Sequence, residues 1–448
     1  MTTRDVDVVV VGLGPGGEHA AIKLAGAGLD VVAVEERLVG GECPYYGCVP
    51  TKMMIAAAHT IGEAHRVSEF GSSAEVQPDW SAVAARVRDE ATDDWNDAAA
   101  VTRLEKSGAT FVRGRGRLTG PGRVEVGDTT YAAARGVVLN VGTAPAAPPI
   151  DGLADTPYWT NRDAVRLTEL PASVVVLGGG AIGCEFAQLL ARFGTRVTVV
   201  EAADRLVAGD EPEASAVLAE AFAKEGIQLL TGAKVDSVTH AEGAFTLALD
   251  GQQVTADKLL VAAGRRNNLA DLGLETVGLD PEAKVIETDE RMRAAEKLWA
   301  VGDITGKGAF THVSMYQAAV AIRDILGEDG PWADYRAVSR VTFTEPEVAS
   351  VGLTEQRARD EGISVVTASG DLGARGWLAR ASGVVKLVAD RDRGVLVGAT
   401  VVGPAGGEIM SMLVTAVHAE VPIPTLRTMH FAYPTFHRAI ETVLDELV

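Results

Sequence analysis

The chain has 448 residues, of which 47% are apolar and 23% charged, the composition of a globular protein large enough for several domains. Its 41 basic and 61 acidic residues give a formal net charge of −20, so long-range repulsion disfavours binding to nucleic acid and to anionic lipid. No apolar run reaches membrane-spanning length, and the N-terminus lacks the order of a signal peptide. We therefore expect a cytoplasmic protein.

The first predicted elements form a dinucleotide-binding unit. A valine-rich strand at residues 6–11 is followed by Gly12, Gly14 and Gly17 in the order G-x-G-x-x-G, then by a helical stretch and a second strand that ends at Glu35. The first glycine permits a tight turn, the second lets the backbone approach a pyrophosphate, and the third allows the helix to pack closely. The terminal glutamate is expected to accept hydrogen bonds from ribose hydroxyls.

Two cysteines come next, in "GGECPYYGCVPTK" (40–52), where Cys43 and Cys48 flank four residues. A structural disulfide would be opened in a reducing compartment, and zinc would need further ligands, whereas the only other cysteine is Cys184. A redox disulfide is favoured over both alternatives, which stay open at this point. Cys48 precedes the predicted helix "VPTKMMIAAAHTI", and a helix N-terminus lowers the pKa of a thiol.

The opening phrase returns as "SVVVLGGGAIGCEFAQLLARFGTRVTVVE". Gly178, Gly180 and Gly183 repeat the glycine pattern and Glu201 the terminal acid, each at an offset of 166 residues. Two tight turns in an unrelated α/β sheet are the alternative explanation. Two complete strand–turn–helix–strand units instead predict two dinucleotide cofactors that exchange electrons.

The second unit also predicts which nicotinamide cofactor binds. The carboxylate of Glu201 pairs with a free 2′-hydroxyl and repels a 2′-phosphate. Ala202 and Ala203 are not basic, and the nearby Arg205 is expected to lie at the surface. NADH is therefore favoured over NADPH.

Two dinucleotide units and a C-x(4)-C pair resemble the class I pyridine nucleotide-disulfide oxidoreductases, or flavoprotein disulfide reductases, which include dihydrolipoamide dehydrogenase, glutathione reductase and mercuric reductase. The resemblance covers essentially the whole chain. It extends to "LNVGTAPAAPPIDG" (139–152) with Gly142, "VAAGRRNN" (261–268) with Gly264, "LWAVGDITG" (298–306) with Asp303, "VTFTEPEVASVGLTE" (341–355) and "GVVKLVADRDRGVLVGATVVGPAGGEIM" (383–410).

The resemblance implies an α/β fold with two Rossmann-like domains, for FAD and NAD(P), and a C-terminal α+β dimerisation domain. The predicted bounds are 1–150 for the FAD domain, 151–266 for the NAD(P) domain, 267–333 for a central segment completing the FAD site, and 334–448 for the interface domain. A homodimer with an active site shared between subunits follows from the same resemblance.

The resemblance also assigns roles to single residues. Cys48 matches the sulfur beside the flavin, and Cys43 matches the outer sulfur that attacks the substrate. Lys52 matches the lysine near flavin N5, and Glu185 matches its glutamate partner. Asp303 is placed for the ribityl chain, whereas Cys184 matches no redox position and is expected to be a small core residue.

The C-terminal segment departs from the family. Its usual His-Pro-Thr-x-x-Glu motif supplies the acid–base histidine from the partner subunit, and here "MHFAYPTFHRAIETV" has Tyr433 at the histidine position and Arg438 at the glutamate position. Tyrosine titrates near about 10, which makes it a poor base at neutral pH. Dihydrolipoamide and glutathione are therefore unfavoured substrates. His430 and His437 could substitute but are expected to be structural or solvated.

These observations predict an FAD-dependent NAD(P)H oxidoreductase, with NADH favoured, that uses a Cys43–Cys48 disulfide to reduce a disulfide or another thiol-reactive acceptor. The alternatives are a metal ion reductase like mercuric reductase, although "ETVLDELV" contains no cysteine pair, and a quinone reductase or diaphorase fed directly by the flavin. A non-catalytic flavoprotein is a weaker alternative.

Overall fold

The structure is a computed structural model that describes residues 2–447. Within that range, no helix combines the length and the apolar character needed to cross a membrane. The strands in chain order are β1 (Thr2–Val11), β2 (Val31–Glu35), β3 (Thr110–Arg113), β4 (Arg117–Gly120), β5 (Arg123–Val126), β6 (Thr129–Leu139), β7 (Thr143–Pro145), β8 (Ser173–Leu177), β9 (Arg196–Val200), β10 (Gln228–Leu230), β11 (Val235–Ala241), β12 (Ala244–Leu249), β13 (Gln252–Ala256), β14 (Lys258–Val261), β15 (Arg265–Asn267), β16 (Arg293–Ala295), β17 (Leu298–Ala300), β18 (Ser339–Thr342), β19 (Glu347–Gly352), β20 (Val365–Gly370), β21 (Val384–Asp390) and β22 (Val395–Gly403).

The helices in chain order are α1 (Pro15–Gly26), α2 (Glu42–Tyr45), α3 (Cys48–Arg66), α4 (Trp80–Arg86), α5 (Ala98–Lys106), α6 (Asn161–Ala164), α7 (Ala181–Arg192), α8 (Pro212–Lys224), α9 (Thr311–Leu326), α10 (Glu355–Asp360), α11 (Gly373–Leu378), α12 (Gly406–Ile409), α13 (Ser411–His418), α14 (Ile423–Arg427) and α15 (Ala439–Glu446). A π-helical turn, Val87–Ala91, follows α4 directly.

Packing divides the chain into two compact units, each built from three separate segments. The first unit contains residues 2–51, 85–145 and 265–334, and the second contains residues 52–84, 146–264 and 335–447. The domain bounds expected from the sequence remain predictions.

The first unit is built on a sheet of order β16-β17-β6-β1-β2-β3, with the β4–β5 hairpin paired to β6. Its central strands β17, β6, β1, β2 and β3 pair in parallel. Val8 and Val10 of β1 pack into the core that contains α1 and α9, whereas Val9 and Val11 pack on the opposite side. Burial on both faces explains why β1 is so rich in valine.

The carboxyl ends of these parallel strands form one edge of the sheet. Gly12 follows β1, Glu35 ends β2, and Asn140 follows β6. Because ligands of open α/β sheets bind at this edge, the fold gathers the first glycine turn and its acid at one place.

The second unit contains a parallel sheet of order β10-β9-β8-β14 and an antiparallel sheet of β11, β12 and β13. These two sheets share a core that includes Val175, Phe245 and Leu259. The glycine turn after β8 and Glu201 after β9 therefore repeat the arrangement of the first unit, again at the carboxyl ends of parallel strands.

The C-terminal part of the second unit is an antiparallel sheet of order β18-β19-β22-β21-β20. All residues of β22 are buried. Helices α13 and α15 cover one face, where Leu413 and Val443 pack against Leu387 and Val401. This part has the α+β character expected of the interface domain.

Candidate active site

The two cysteines lie on either side of a short turn in the first unit. Gly40 and Gly41 enter this stretch with φ of +107° and +68°, conformations that favour glycine. Cys43 is the second residue of α2 and is half-buried, whereas Cys48 is the first residue of α3 and is exposed. The Cys48 Sγ lies 3.5 Å from Oγ1 of Thr311. A helix N-terminus favours the thiolate form of a cysteine at this position.

Cys43 lines a cavity of about 350 Å³ within the first unit. The charged residues of its lining are Glu18, Glu90, Asp93 and Arg103. Arg103 forms an ion pair with Glu18, and Glu90 forms one with Arg86, so Asp93 leaves the lining with a small net negative charge. The cavity beside this sulfur is therefore acidic.

In the second unit, Lys52 and Glu185 form the ion pair expected from the sequence. The Lys52 Nζ lies 2.6 Å from Oε2 of Glu185, whose side chain is 8% exposed. The backbone N–H of Phe343 donates to the other carboxylate oxygen at 2.9 Å, and the ammonium lies 4.6 Å from the centre of the Phe343 ring. Lys52 follows Cys48 by four residues on the continuous helix α3.

The first glycine turn allows no side chain at two positions. Gly12 has φ of +86°, and a Cβ there would lie 2.4 Å from the carbonyl oxygen of Asn140. A Cβ on Gly17 would lie 2.0 Å from the carbonyl oxygen of Gly12. Gly14 is the N-cap of α1, so no side chain covers the first N–H groups of that helix. This backbone fits the pyrophosphate of a dinucleotide.

The second turn reproduces these contacts. Gly178 has φ of +115°, and its Cβ would lie 2.5 Å from the carbonyl oxygen of Ala262, while a Cβ on Gly183 would lie 1.9 Å from the carbonyl oxygen of Gly178. Gly180 is the N-cap of α7, and a Cβ there would meet nothing within 4 Å. The open space above this helix terminus fits a second dinucleotide phosphate group.

The acids that follow the second strand of each unit, Glu35 and Glu201, also accept hydrogen bonds from backbone N–H groups around the glycine turns. Glu35 accepts hydrogen bonds from the N–H groups of Leu13 at 2.7 Å and Arg37 at 2.8 Å. Glu201 accepts from Gly179 at 2.5 Å and Ala203 at 2.7 Å, again at an offset of 166 residues. Burial raises the pKa of Glu35 above its ordinary value, although both backbone donors oppose the shift. The sequence pattern did not reveal this second, structural task of the acids.

Asp303 lies at the start of a 3₁₀ turn and accepts a 2.6 Å hydrogen bond from Oγ1 of Thr143. The same hydroxyl accepts from Nε of Arg265 at 2.6 Å. Gly142 precedes this threonine with φ of +62°, and Gly264 has φ of +139°. The structure thus brings Gly142 and Asp303 to one place in the first unit, joined through a threonine that the sequence did not single out.

Asn140 is another residue of this site that the sequence motifs did not predict. Its Oδ1 accepts from the N–H of Gly17 at 2.8 Å, and its Nδ2 donates to the carbonyl of Val301 at 2.9 Å. The amide therefore joins the glycine turn to the strand before Asp303. The available signal was its place directly after β6, at the carboxyl edge of the sheet.

The tyrosine that replaces the family histidine in the C-terminal segment is exposed in the single chain. Tyr433 is 70% exposed, and the Arg438 guanidinium lies 5.5 Å from the centre of its ring. Arg438 also forms an ion pair with Glu441 at 2.9 Å, and the His437 ring lies 5.8 Å from that of Phe431. Arg438 therefore stacks on Tyr433. These two residues replace the glutamate and histidine of the family motif and cannot form its carboxylate–imidazole pair.

The family model for pyridine nucleotide-disulphide oxidoreductase matches residues 6–323, and the model for the dimerisation domain of the same enzymes matches residues 338–444. The chain belongs to this family. Members use FAD and a nicotinamide nucleotide, so the predicted enzyme class and cofactors are confirmed.

Proteins similar in sequence to this chain include dihydrolipoyl dehydrogenases. That of Mycobacterium leprae is 34% identical over 463 residues, covering 99% of this chain and 98% of the relative, and that of Chlamydia muridarum is 33% identical over 440 residues, covering 96% and 94%. LpdA from Mycobacterium tuberculosis has a TM-score of 0.86 at 27% identity, with full coverage of both chains. The Cu(II) complex of the HOCl-induced flavoprotein disulfide reductase RclA from Escherichia coli has a TM-score of 0.86 at 25% identity, covering 99% and 100%.

These findings confirm the predicted fold class and the general activity of a flavoprotein disulfide reductase. The dimerisation domain is likewise shown by its family model. The individual roles expected for Cys43, Cys48, Lys52, Glu185 and Tyr433 remain predictions that the geometry now makes specific.

Proposed function

We propose that this protein is a cytoplasmic, homodimeric, NADH-dependent flavoenzyme in which Cys43 and Cys48 reduce a neutral or cationic thiol-reactive acceptor. The observation that carries the proposal is the placement of Cys43 in the wall of the acidic cavity while Cys48 begins α3. When bound, FAD supplies the transfer of an electron pair from NADH to the disulfide of this cysteine pair.

The proposed exchange uses both sulfurs. The Cys43 thiolate bonds to one sulfur of a disulfide acceptor, the acceptor's S–S bond breaks, and the first product leaves as a thiolate that takes up a proton. The Cys48 thiolate then attacks Cys43, the mixed disulfide breaks, and the second thiolate leaves. One NADH and one proton are consumed for each disulfide reduced to two thiols.

The altered C-terminus limits the choice of acceptor. Tyr433 can donate a hydrogen bond or a proton to a departing thiolate, but it does not shuttle protons at neutral pH as an imidazole does. Acceptors with low-pKa leaving groups need the least help, since a more acidic thiol leaves faster. An anionic disulfide would also meet the net negative charge that Asp93 gives to the cavity.

The nicotinamide preference is supported by the surroundings of Glu201. Its carboxylate repels a 2′-phosphate, and the only cation that the sequence offered nearby is engaged elsewhere. The Arg205 Nη2 donates to the carbonyl of Ala208 at 2.8 Å, and its Nη1 lies 3.4 Å from Asp204. These contacts leave the guanidinium poorly placed to neutralise a phosphate.

The homodimer is supported by the dimerisation domain and by the exposure of Tyr433. In the proposed dimer, this tyrosine completes the active site of the partner subunit. A charge of −20 disfavours nucleic acid as a partner.

The deciding experiment counts reactive thiols. The purified holoenzyme is treated anaerobically with NADH, alkylated with iodoacetamide without unfolding, and mapped by mass spectrometry. We expect NADH to expose Cys43 and Cys48 to alkylation. Cys184 is an internal control, since it is fully buried and burial raises the pKa of its thiol far above the usual range.

Flavin reduction without a change in alkylation would remove the cysteines from the electron path and favour direct quinone reduction. Failure of NADH to bleach the flavin would favour the non-catalytic alternative. Turnover of cystamine, a small cationic disulfide, should exceed that of an anionic analogue such as dithiodiglycolate, and Cys43→Ser should abolish it.

A second candidate acceptor is a thiophilic metal ion, because the structural neighbour RclA has been solved as a Cu(II) complex. Two adjacent thiolates could reduce two Cu(II) ions to Cu(I) for each NADH oxidised. Within residues 2–447, no group of three His, Cys, Asp or Glu side chains is arranged as a metal site, so such an ion would be a substrate held by few ligands. Anaerobic, Cu(II)-dependent NADH oxidation that is lost in Cys43→Ser would support this candidate over the disulfide.

A further inference from the structure

The stretch that precedes α5 in the first unit has an unusual backbone. The π-helical turn Val87–Ala91 is followed by Asp93, Asp94 and Trp95, whose φ angles are +48°, +52° and +56°. The left-handed region is unfavourable for L-residues, above all for a bulky tryptophan, and it is visited three times in succession here. Such strain persists only where surrounding contacts over-determine the conformation, and it concentrates at functional sites.

The contacts that hold this left-handed turn are on both sides of it. The N–H of Asp94 donates to the carbonyl of Arg88 at 2.7 Å, and the N–H of Asn96 donates to the carbonyl of Thr92 at 3.2 Å. Thr92 is fully buried, and its hydroxyl lies 3.0 Å from the carbonyl oxygen of Val87. The turn is therefore a fixed part of the first unit.

The left-handed turn is tied to the cysteine stretch at two points. The indole Nε1–H of Trp95 donates to the carbonyl of Tyr45, the last residue of α2, at 2.9 Å. Asp97, two residues later, accepts from the N–H of Val39 at 2.7 Å and from Nη2 of Arg113 at 2.6 Å. The contact with Val39 thus lies before Cys43 in the chain, and the contact with Tyr45 lies between the two cysteines.

Helix α2 cannot hold Cys43 in position by itself. It has four residues, which is far below the length at which a helix is stable alone. The indole of Trp95 satisfies the carbonyl of its last residue, Tyr45. Loss of that contact would let the turn between the cysteines relax and move the Cys43 sulfur.

We propose that Trp95 is a positioning residue for Cys43, which fixes this sulfur for exchange with Cys48 and with the acceptor through the hydrogen bond to Tyr45. The proposal rests on the function proposed above, in which Cys43 carries the exchange step. Thiol exchange depends strongly on alignment, because even a small displacement of a reacting atom slows a reaction between held groups.

The test replaces Trp95 by Phe, which keeps an aromatic ring and removes the N–H donor. Trp80 provides a matched control, because its Nε1–H donates to a backbone carbonyl, that of Leu167, at the same distance of 2.9 Å, and both of these residues belong to the second unit. Trp80→Phe removes an equivalent hydrogen bond without touching the cysteine stretch.

Two readouts distinguish positioning from general stability. We expect Trp95→Phe to lower kcat for cystamine about tenfold, the effect of losing one well-placed hydrogen bond, while duroquinone reduction by the flavin and the flavin content stay unchanged. The second readout needs no acceptor. In dithiothreitol redox buffers, the fraction of Cys43–Cys48 disulfide should fall in Trp95→Phe, because the effective concentration of one sulfur at the other falls.

Trp80→Phe should change neither readout relative to the wild type. Equal losses of cystamine and duroquinone turnover in Trp95→Phe, or an unchanged cystamine-to-duroquinone ratio and redox equilibrium, would overturn the positioning role. If Trp95→Phe does not fold, Asp97→Asn removes the charge of the carboxylate whose Oδ2 accepts from both Val39 and Arg113, and so weakens the other tie between this turn and the cysteine stretch. It should shift the same two readouts and overturns the proposal if it does not. Cystamine turnover that survives in Cys43→Ser would instead show that the proposed function itself has failed.

Discussion

The two glycine turns of this chain are nearly identical in backbone and differ in what surrounds their helices. In the first unit, a Cβ on Gly16 of α1 would lie 2.4 Å from Oγ of Ser314, because α9 packs directly on α1. The matching residue in α7 is Ile182, and the position matching His19 is Glu185, which reaches Lys52. The shared backbone fits a phosphate in both units, whereas the helix residues at positions 16 and 19, and at 182 and 185, make different contacts.

The comparison is tested most severely at the third glycine of each turn. A methyl group on Gly17 or Gly183 would lie 2.0 Å or 1.9 Å from a backbone carbonyl oxygen, so the turn must move in both variants. We expect Gly17→Ala to lower the bound flavin and Gly183→Ala to raise the KM for NADH, each by roughly 10- to 100-fold, as overpacking of about 1–3 kcal/mol implies. Flavin absorbance per protein and NADH kinetics measure the two effects.

Gly26→Ala is the control for this pair, because its Cβ meets nothing within 4 Å and its φ is ordinary. It should leave the flavin content and the KM for NADH unchanged. Loss of flavin to the same extent in Gly17→Ala and Gly183→Ala would contradict the assignment of FAD to the first turn and NADH to the second.

The next prediction concerns Glu185, which forms an ion pair with Lys52, and His19, which occupies the matching position in helix α1. Glu185→Gln removes the charge that faces Lys52 and leaves one oxygen for two donors, the ammonium and the N–H of Phe343. Because the pair is only partly buried, we expect NADH-dependent flavin reduction to slow by roughly 10- to 30-fold, less than a fully buried pair would give. Stopped-flow absorbance measures this rate, and His19→Gln should leave it within a factor of about two. A normal rate in Glu185→Gln would show that the ion pair has no part in electron transfer.

The sequence allowed the parts of this site that depend on short-range patterns to be predicted. The glycine turns and their acids sit at fixed positions in a motif whose backbone conformation needs those residue types, whereas the pair of Lys52 and Glu185 was predicted only from the resemblance to the family. The two dinucleotide-binding units followed from their alternation of strands and helices, and the α+β interface domain was predicted from the resemblance to the family.

What could not be predicted depends on partners far apart in the chain. Asn140 lies 123 residues from the glycine whose N–H it binds, and Trp95 lies 50 residues from Tyr45. Neither residue belongs to a periodic pattern, and nothing in the letters of Asp93, Asp94 and Trp95 indicates a left-handed backbone. Such contacts are set by tertiary packing, which overrides local preference.

The two terminal acids should differ in their effect on nucleotide choice. Glu201→Gln removes the negative charge that disfavours a 2′-phosphate, so the ratio of kcat/KM for NADH to that for NADPH should fall about fivefold. Steady-state kinetics with both nucleotides give this ratio. Glu35→Gln alters the matching acid of the first turn and should leave the ratio unchanged. A ratio that is the same in wild type and Glu201→Gln would refute the charge argument for NADH.

The smallest expected difference concerns pH, because burial raises the pKa of Glu35 above its ordinary value of 4.5. The folded protein then holds a proton on Glu35 at pH values where the unfolded chain has released it. The stability that this proton contributes is full below pH 4.5 and is lost as the pH rises through the raised pKa. Glu35→Gln cannot titrate, so the urea midpoint of flavin-depleted wild type, measured against this variant, should decline over that window and level off above it. A difference that grows with rising pH would mean that the two backbone donors outweigh burial at Glu35, which would reverse the direction of its pKa shift.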